Sequence, residues 1–318
     1  LAGALVGVAC GATIGPAAAQ ERAGATAQAT PAEPTPTGAW WDRSLGGPPQ
    51  STGVAVEPDC FVNLETAVVF PHLSSRLVAP VSLGDAGLTA VALPNARLDT
   101  TVMPTLQIGA YRFGPGYGEL ALSYRFLATS GTDHFDEGGG AVLHSRLNLQ
   151  NVSFDYLRND CRCGPETVVG WHVGARVQVA FFDSQAETPT SFSQGRNMFY
   201  GVGPHAGFSV THALPEGFEL FGRFDAALVT GFQTTQTFVL RTTQPGGVTA
   251  GGGADQEETE LAPSLEAQVG LSWASSWLPC SRWRVGYEFD QWYDLGRVRG
   301  SFGNLSAHSV FVSWEWNF

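Results

Sequence analysis

The chain has 318 residues and a formal net charge of −12, with only 14% charged residues and no lysine. That balance offers no broad basic face to phosphates and excludes nucleic acid as a partner class. No apolar run of about 20 residues could cross a bilayer as a helix. The 39 glycines and 11% aromatics nevertheless suit β-structure with many turns, and alternating strands cross membranes at neutral average hydropathy.

Leu1 to Ala19 is small and apolar and ends in Ala17-Ala18-Ala19, the pattern of a secretory signal peptide whose basic start is missing. Cys10 raises a lipoprotein reading, but Gly7 stands where a lipobox wants leucine. Residues 20–59 are rich in Ala, Pro and Thr without periodicity and read as a periplasmic linker. Residues 60–318 form the third unit.

From Cys60 onward the side chains alternate. Val62, Leu64, Val68 and Phe70 face one way, with Asn63 and Glu65 opposite. A less regular strand is predicted over Arg97 to Phe113. Leu120, Leu122, Tyr124 and Phe126 then oppose Glu119, Ser123 and Arg125. Between Val142 and Arg158 the apolar phase switches. Leu147 and Leu149 are expected outward and His144, Arg146 and Asn148 inward, followed by outward Val152, Phe154 and Tyr156. A one-residue bulge near Gln150-Asn151 would reconcile the two halves.

Thr167 to Phe181 is the cleanest strand, its Val, Trp and Phe opposing His172, Arg176 and Gln178. His205 falls inside in the next. Glu219, Arg223 and Asp225 oppose Phe218, Leu220 and Phe224. Glu260, Glu266 and Gln268 oppose Leu261, Leu265 and Val269. Arg284, Glu288 and Asp290 oppose Val285, Tyr287 and Phe289. The last strand, LSAHSVFVSWEWNF, sets Val310, Val312, Trp314, Trp316 and Phe318 against Ser309, Ser313 and Glu315. An apolar face ending in a C-terminal aromatic is a hazard on a soluble edge strand and ordinary on a lipid-facing one. It also resembles the signal read by barrel-assembly machinery.

The fold class that follows is all-β: a transmembrane antiparallel up-and-down barrel of about ten strands. Short turns near Pro115, Cys163, Pro215 and Pro279 would be periplasmic. Longer loops at 74–96, 131–141, 184–196 and 239–257 would be extracellular, with both chain ends periplasmic in the outer membrane.

Several stretches also resemble a known family. RLDTTVMPTLQIGAYRF (97–113), ELALSYRFLATSGT (119–132), LNLQNVSFDYLR (147–158), GPHAGFSVTHALPEGFELFGRFDAALVTG (203–231), LAPSLEAQVGLSW (261–273) and RVGYEFDQWYDLG (284–296) are similar, in that order, to Legionella-type major outer membrane proteins. The resemblance implies an integral outer-membrane barrel with pore activity and no catalytic signature.

The candidate pore lining comprises Glu119, Arg125, His144, Arg146, His172, Arg176, His205, Glu219, Arg223, Asp225, Glu260, Glu266, Arg284, Glu288, Asp290 and Glu315. The expected function is a porin-like channel for passive diffusion of ions or small hydrophilic solutes, and because the acids outnumber the arginines it would lean weakly towards cations. The alternative is a charge ladder that plugs a narrow lumen, leaving a structural or adhesive barrel that acts through its outer loops. About ten strands is near the size that side chains can fill. A Ser-His-Asp enzyme would need its groups clustered near the outer rim, and the histidines lie on different strands, so no catalytic residue or cofactor is expected. Cys60, Cys161, Cys163 and Cys280 are disulfide candidates at the periplasmic rim, with free thiols and zinc as rivals. The expected partners are outer-membrane lipid, the barrel-assembly machinery and a second copy of the chain.

Overall fold

The computed structural model describes residues 60–74, 76–82, 88–113, 118–135, 140–189, 191–242, 248–295 and 303–318. The expected signal peptide and linker lie outside them. Ten strands close into an antiparallel barrel: β1 (Cys60–Leu73), β4 (Thr101–Phe113), β5 (Gly118–Phe135), β6 (Ala141–Arg162), β7 (Thr167–Thr188), β8 (Ser191–Ala213), β9 (Phe218–Thr242), β10 (Val248–Ala274), β11 (Ser281–Trp292) and β12 (Leu305–Asn317). Each strand pairs with its neighbours in sequence, and β12 closes on β1 from Phe61↔Asn317 to Leu73↔Leu305. The two remaining strands, β2 (Arg76–Ser82) and β3 (Leu88–Pro94), pair with each other between β1 and β4.

Alternation decides which face meets lipid. On β7 the outward positions Val169, Trp171, Val173, Ala175, Val177, Val179 and Phe181 are all apolar, and the next one up is Asp183. On β8 the outward positions from Val210 to Met198 are apolar and the next is Arg196. Thirteen residues at about 3.3 Å each, tilted by roughly 40°, rise about 30 Å, the thickness of a bilayer core. Aromatic pairs line the end where β1 begins and β12 ends, on β9 to β12: Trp283–Trp314 at 6.4 Å, Phe218–Trp273 at 6.2 Å and Trp316–Phe318 at 5.2 Å between centroids. Val310, Val312, Trp316 and Phe318 are exposed on the outer wall and Trp314 is partly so, as the C-terminal pattern requires.

Several expectations are corrected. The segments 184–196 and 239–257 are largely strand. β7 and β8 run to within two residues of each other, and β9 and β10 extend to Thr242 and from Val248. The first long loop contains the β2–β3 hairpin, and the strand expected from Arg97 begins at Thr101.

The bulge near Gln150-Asn151 is not formed. β6 pairs in unbroken register from Val142 to Arg158, and the shift comes between Arg158 and Cys161. Leu147 and Leu149 therefore point inward, 1% and 2% exposed, while His144 and Arg146 are exposed on the outer wall. Hydrophobicity changes sides along β6 because the surroundings change. Lower down the outer face meets lipid; higher up it meets water, and the lumen is a packed core.

The disulfides are also not formed; all four cysteines in the described residues are free thiols. Cys60 exchanges backbone hydrogen bonds with Phe318, and the Cys280 carbonyl accepts from Asn317 N–H, so both flank the closing seam. Cys161 and Cys163 lie at the β6–β7 turn, which strand order places towards the other side of the rim. A ten-strand ring spans roughly 20 Å, well beyond the reach of an S–S bond.

Candidate functional site: the filled lumen

Two layers fill the interior. In the layer nearer the start of β1 and the end of β12, Arg125 projects from β5 towards the opposite wall. Its guanidinium lies 2.7 Å from Glu288, 3.2 Å from Glu266, 3.4 Å from Asp290 and 3.9 Å from Glu65. Both terminal nitrogens donate to the Glu266 carboxylate, a forked contact that fixes the arginine across the lumen. Four carboxylates thus converge on one guanidinium, all nearly enclosed.

Beside this cluster, Asp225 of β9 collects three donors. Arg176 reaches its Oδ1 at 2.8 Å; His172 Nε2 and His205 Nδ1 approach its Oδ2 at 2.7 and 2.9 Å. His205 Nε2 is 2.7 Å from Asp155 Oδ1. Register and two glycines explain this set. Gly174 lies opposite His205 and next to Asp155, and Gly207 lies between His172 and Asp225. A Cβ on Gly174 would strike the His205 ring, and one on Gly207 the His172 ring. Each imidazole thus lies over a glycine and reaches an aspartate two strands away. Nearer the terminal rim, Arg282 pairs with Glu219, which also accepts from Ser272 Oγ at 3.1 Å, and Arg284 pairs with Glu315 at 3.1 Å.

Most of the expected lining residues are therefore inside, and the Arg125 and Asp225 groups meet where Arg176 comes within 3.9 Å of Glu266. Glu119 is buried on the inner face, and Glu260 sits half-buried on the inward parity of β10. His144 and Arg146 are the exceptions, outside for the reason given above. Asp155 and Arg282 were missed, although both carry the inward parity of their strands. The pairing of His172 with His205, ring centroids 6.0 Å apart, depends on cross-strand register. Three donors, His172, His205 and Asp225, also have a spacing suited to a metal ion. However, hydrogen bonds to one another, to Asp155 and to Arg176 already occupy these atoms.

The second layer is apolar. Leu143, Leu147, Leu149, Phe182, Phe199, Val229, Trp292, Leu305 and Phe311 turn inward and form one cluster with Met103, Leu127 and Val69. Leu93, near the end of β3, and Ala96 and Leu98, from the segment joining β3 to β4, belong to the same cluster. That segment is anchored: Ala96 N–H donates to Ser145 Oγ at 3.0 Å, and Asp99 N–H to the Ser130 carbonyl at 2.8 Å. β2 lies against β7 and β8, across the barrel from β1. Within the polar layer, two cavities of about 50 Å³ remain, room for about four waters each.

Residues 108–300 match the family described as Legionella pneumophila major outer membrane protein precursor. The chain belongs to that family. It is thus an outer-membrane barrel. No curated protein sequence matches the chain. Among solved structures, it is similar to the outer membrane protease OmpT from Escherichia coli, at 11% identity over 82% of this chain and 97% of that one, with a TM-score of 0.44. Neisserial surface protein A is 12% identical over 81% and 97%, with a TM-score of 0.30. The Pseudomonas putida toluene transporter TodX is 9% identical over 82% and 90%, with a TM-score of 0.29. At these identities and scores the likeness is one of barrel fold alone.

Proposed function

We propose that this family member is a barrel whose lumen is closed at rest. It would serve the envelope structurally, or by adhesion, through the hairpins that β7 to β10 raise beyond the lipid belt. The chain termini face the periplasm in this reading. The observation that carries it is the stacking of two seals in one lumen: the ion pairs that Arg125 makes across the barrel, and the apolar cluster above them. An ion would have to part both. The β12 face of Val310, Val312, Trp314, Trp316 and Phe318 fits an assembly signal.

A narrow, weakly cation-leaning channel is the second reading, favoured by the excess of carboxylates around Arg125. It requires Arg125 to swing aside and Phe182 and its neighbours to part. Planar-bilayer recording on protein that migrates differently before and after boiling separates the two. The closed barrel gives a silent bilayer or rare, brief steps. Sustained discrete steps with a cation-selective reversal potential would overturn it.

A further inference from the structure

A row of outward residues crosses the wall directly above the lipid belt. Register places Ser130, Arg146, Asp183, Arg196 and Gln236 side by side on β5 to β9. Asp183 follows the last apolar outward position of β7, and Arg196 follows the apolar run from Val210 to Met198 on β8, beyond which Phe192 faces outward again and packs on Phe238. Although it faces outward, the Asp183 side chain is only 5% exposed, because its neighbours close over it. Gln194 donates to its Oδ1 at 2.9 Å and Gln185 to its Oδ2 at 3.2 Å. Arg146 and Arg196 approach the same carboxylate at 3.7 and 3.8 Å while remaining 63% and 48% exposed. Arg146 is further held over the Phe181 ring, 5.4 Å from its centroid.

Two arginines share this one carboxylate, and the next acid along the row, Asp255, lies two strands from Arg196 beyond Gln236. The distances of the two arginines to Asp183 exceed those of tight charge-assisted hydrogen bonds. Thr132 and His144, hydrogen-bonded to each other at 2.9 Å, lie on the next row up. With Arg146, Asp183 and Gln185 they line a depression of about 320 Å³. At this height a side chain on the outer wall meets lipid headgroups. A planar guanidinium is suited to gripping phosphate oxygens.

We propose that Arg146 and Arg196, oriented by Asp183, form a site on the outer wall for the phosphate of an outer-leaflet lipid headgroup. The leaflet rests on the orientation proposed above, with the termini in the periplasm. The acidic composition as a whole hides such a site; the register of three strands assembles it.

The test uses the full chain purified in uncharged detergent, with native mass spectrometry and the temperature of the gel-shift transition as readouts. Diphosphorylated lipid A should bind and raise that temperature, whereas its dephosphorylated form should not. The double variant Arg146→Gln/Arg196→Gln should bind the phosphorylated lipid at least about tenfold more weakly while keeping its gel shift without lipid. Unchanged affinity in that variant, or equal binding of the dephosphorylated lipid, would overturn the site. Inorganic phosphate giving the same stabilisation at equal concentration would overturn the assignment to a lipid. Should the double variant not fold, Arg196→Lys, which keeps the charge and removes the fork, should bind at least threefold more weakly; unchanged affinity would overturn the site. An epitope inserted after Pro189 and stained on intact cells tests the orientation separately.

Discussion

The barrel contains two cross-sections built on opposite rules. Near the start of β1 and the end of β12 the wall is apolar outside and ionic inside. Trp171, Val173 and Val177 face out while His172, Arg176 and Gln178 face in. Higher up the same strand, Asp183, Gln185 and Glu187 face out while Ala180, Phe182 and Ala186 face in. The lower section is arranged for lipid and the upper as a water-soluble barrel would be. Lipid supplies no hydrophobic contrast with an apolar interior, so the lower lumen is held by ion pairs and hydrogen bonds. Water does supply that contrast, so the upper lumen is held by packing.

Arg125→Ala strikes the lower section hardest. It leaves Glu65, Glu266, Glu288 and Asp290 facing one another without their shared cation, a loss of roughly 3–5 kcal/mol for breaking a buried pair. The gel-shift transition of the variant should fall sharply or the barrel should fail to assemble. Wild-type behaviour would mean that the polar layer is wet and screened. In the upper section, Leu147→Ala should cost about 2–4 kcal/mol by leaving a cavity, measured as the same transition. Outward Leu228→Ala, in the belt, should cost far less in detergent. Equal losses at the two leucines would dissolve the distinction between core and lipid face.

The smallest effect is the sharpest for electrostatics. Asp290→Asn removes one of four acids around a single arginine without changing shape, and it should leave stability unchanged or raise it by up to about 1 kcal/mol. A large loss would show that each carboxylate is needed and that Arg176, 3.9 Å from Glu266, neutralises the cluster alongside Arg125.

Much of the lower section was legible because a strand has a period of two and the bilayer sorts the faces. One pass along β7 or β12 tells inside from outside. The same rule failed at His144, Arg146, Leu147 and Leu149, because alternation reports polarity rather than direction. Above the lipid, polarity inverts while direction does not. The free thiols were misread for a related reason: sequence put four cysteines at one rim, but strand order set the β6–β7 turn away from the seam.

By itself, the sequence determined a membrane barrel of about ten strands, most of its lipid-facing residues and most of the acids and arginines of its lower lumen. Those follow from local pattern and the solvent on one face. Only the tertiary structure decided which of those groups meet: Arg125 with four acids across the lumen, His172 and His205 over their glycines, and Arg146 beside Arg196 on the outside. Each meeting depends on strand register or on closure of the ring. Both are set by pairings between segments distant in the chain, so no local pattern records them.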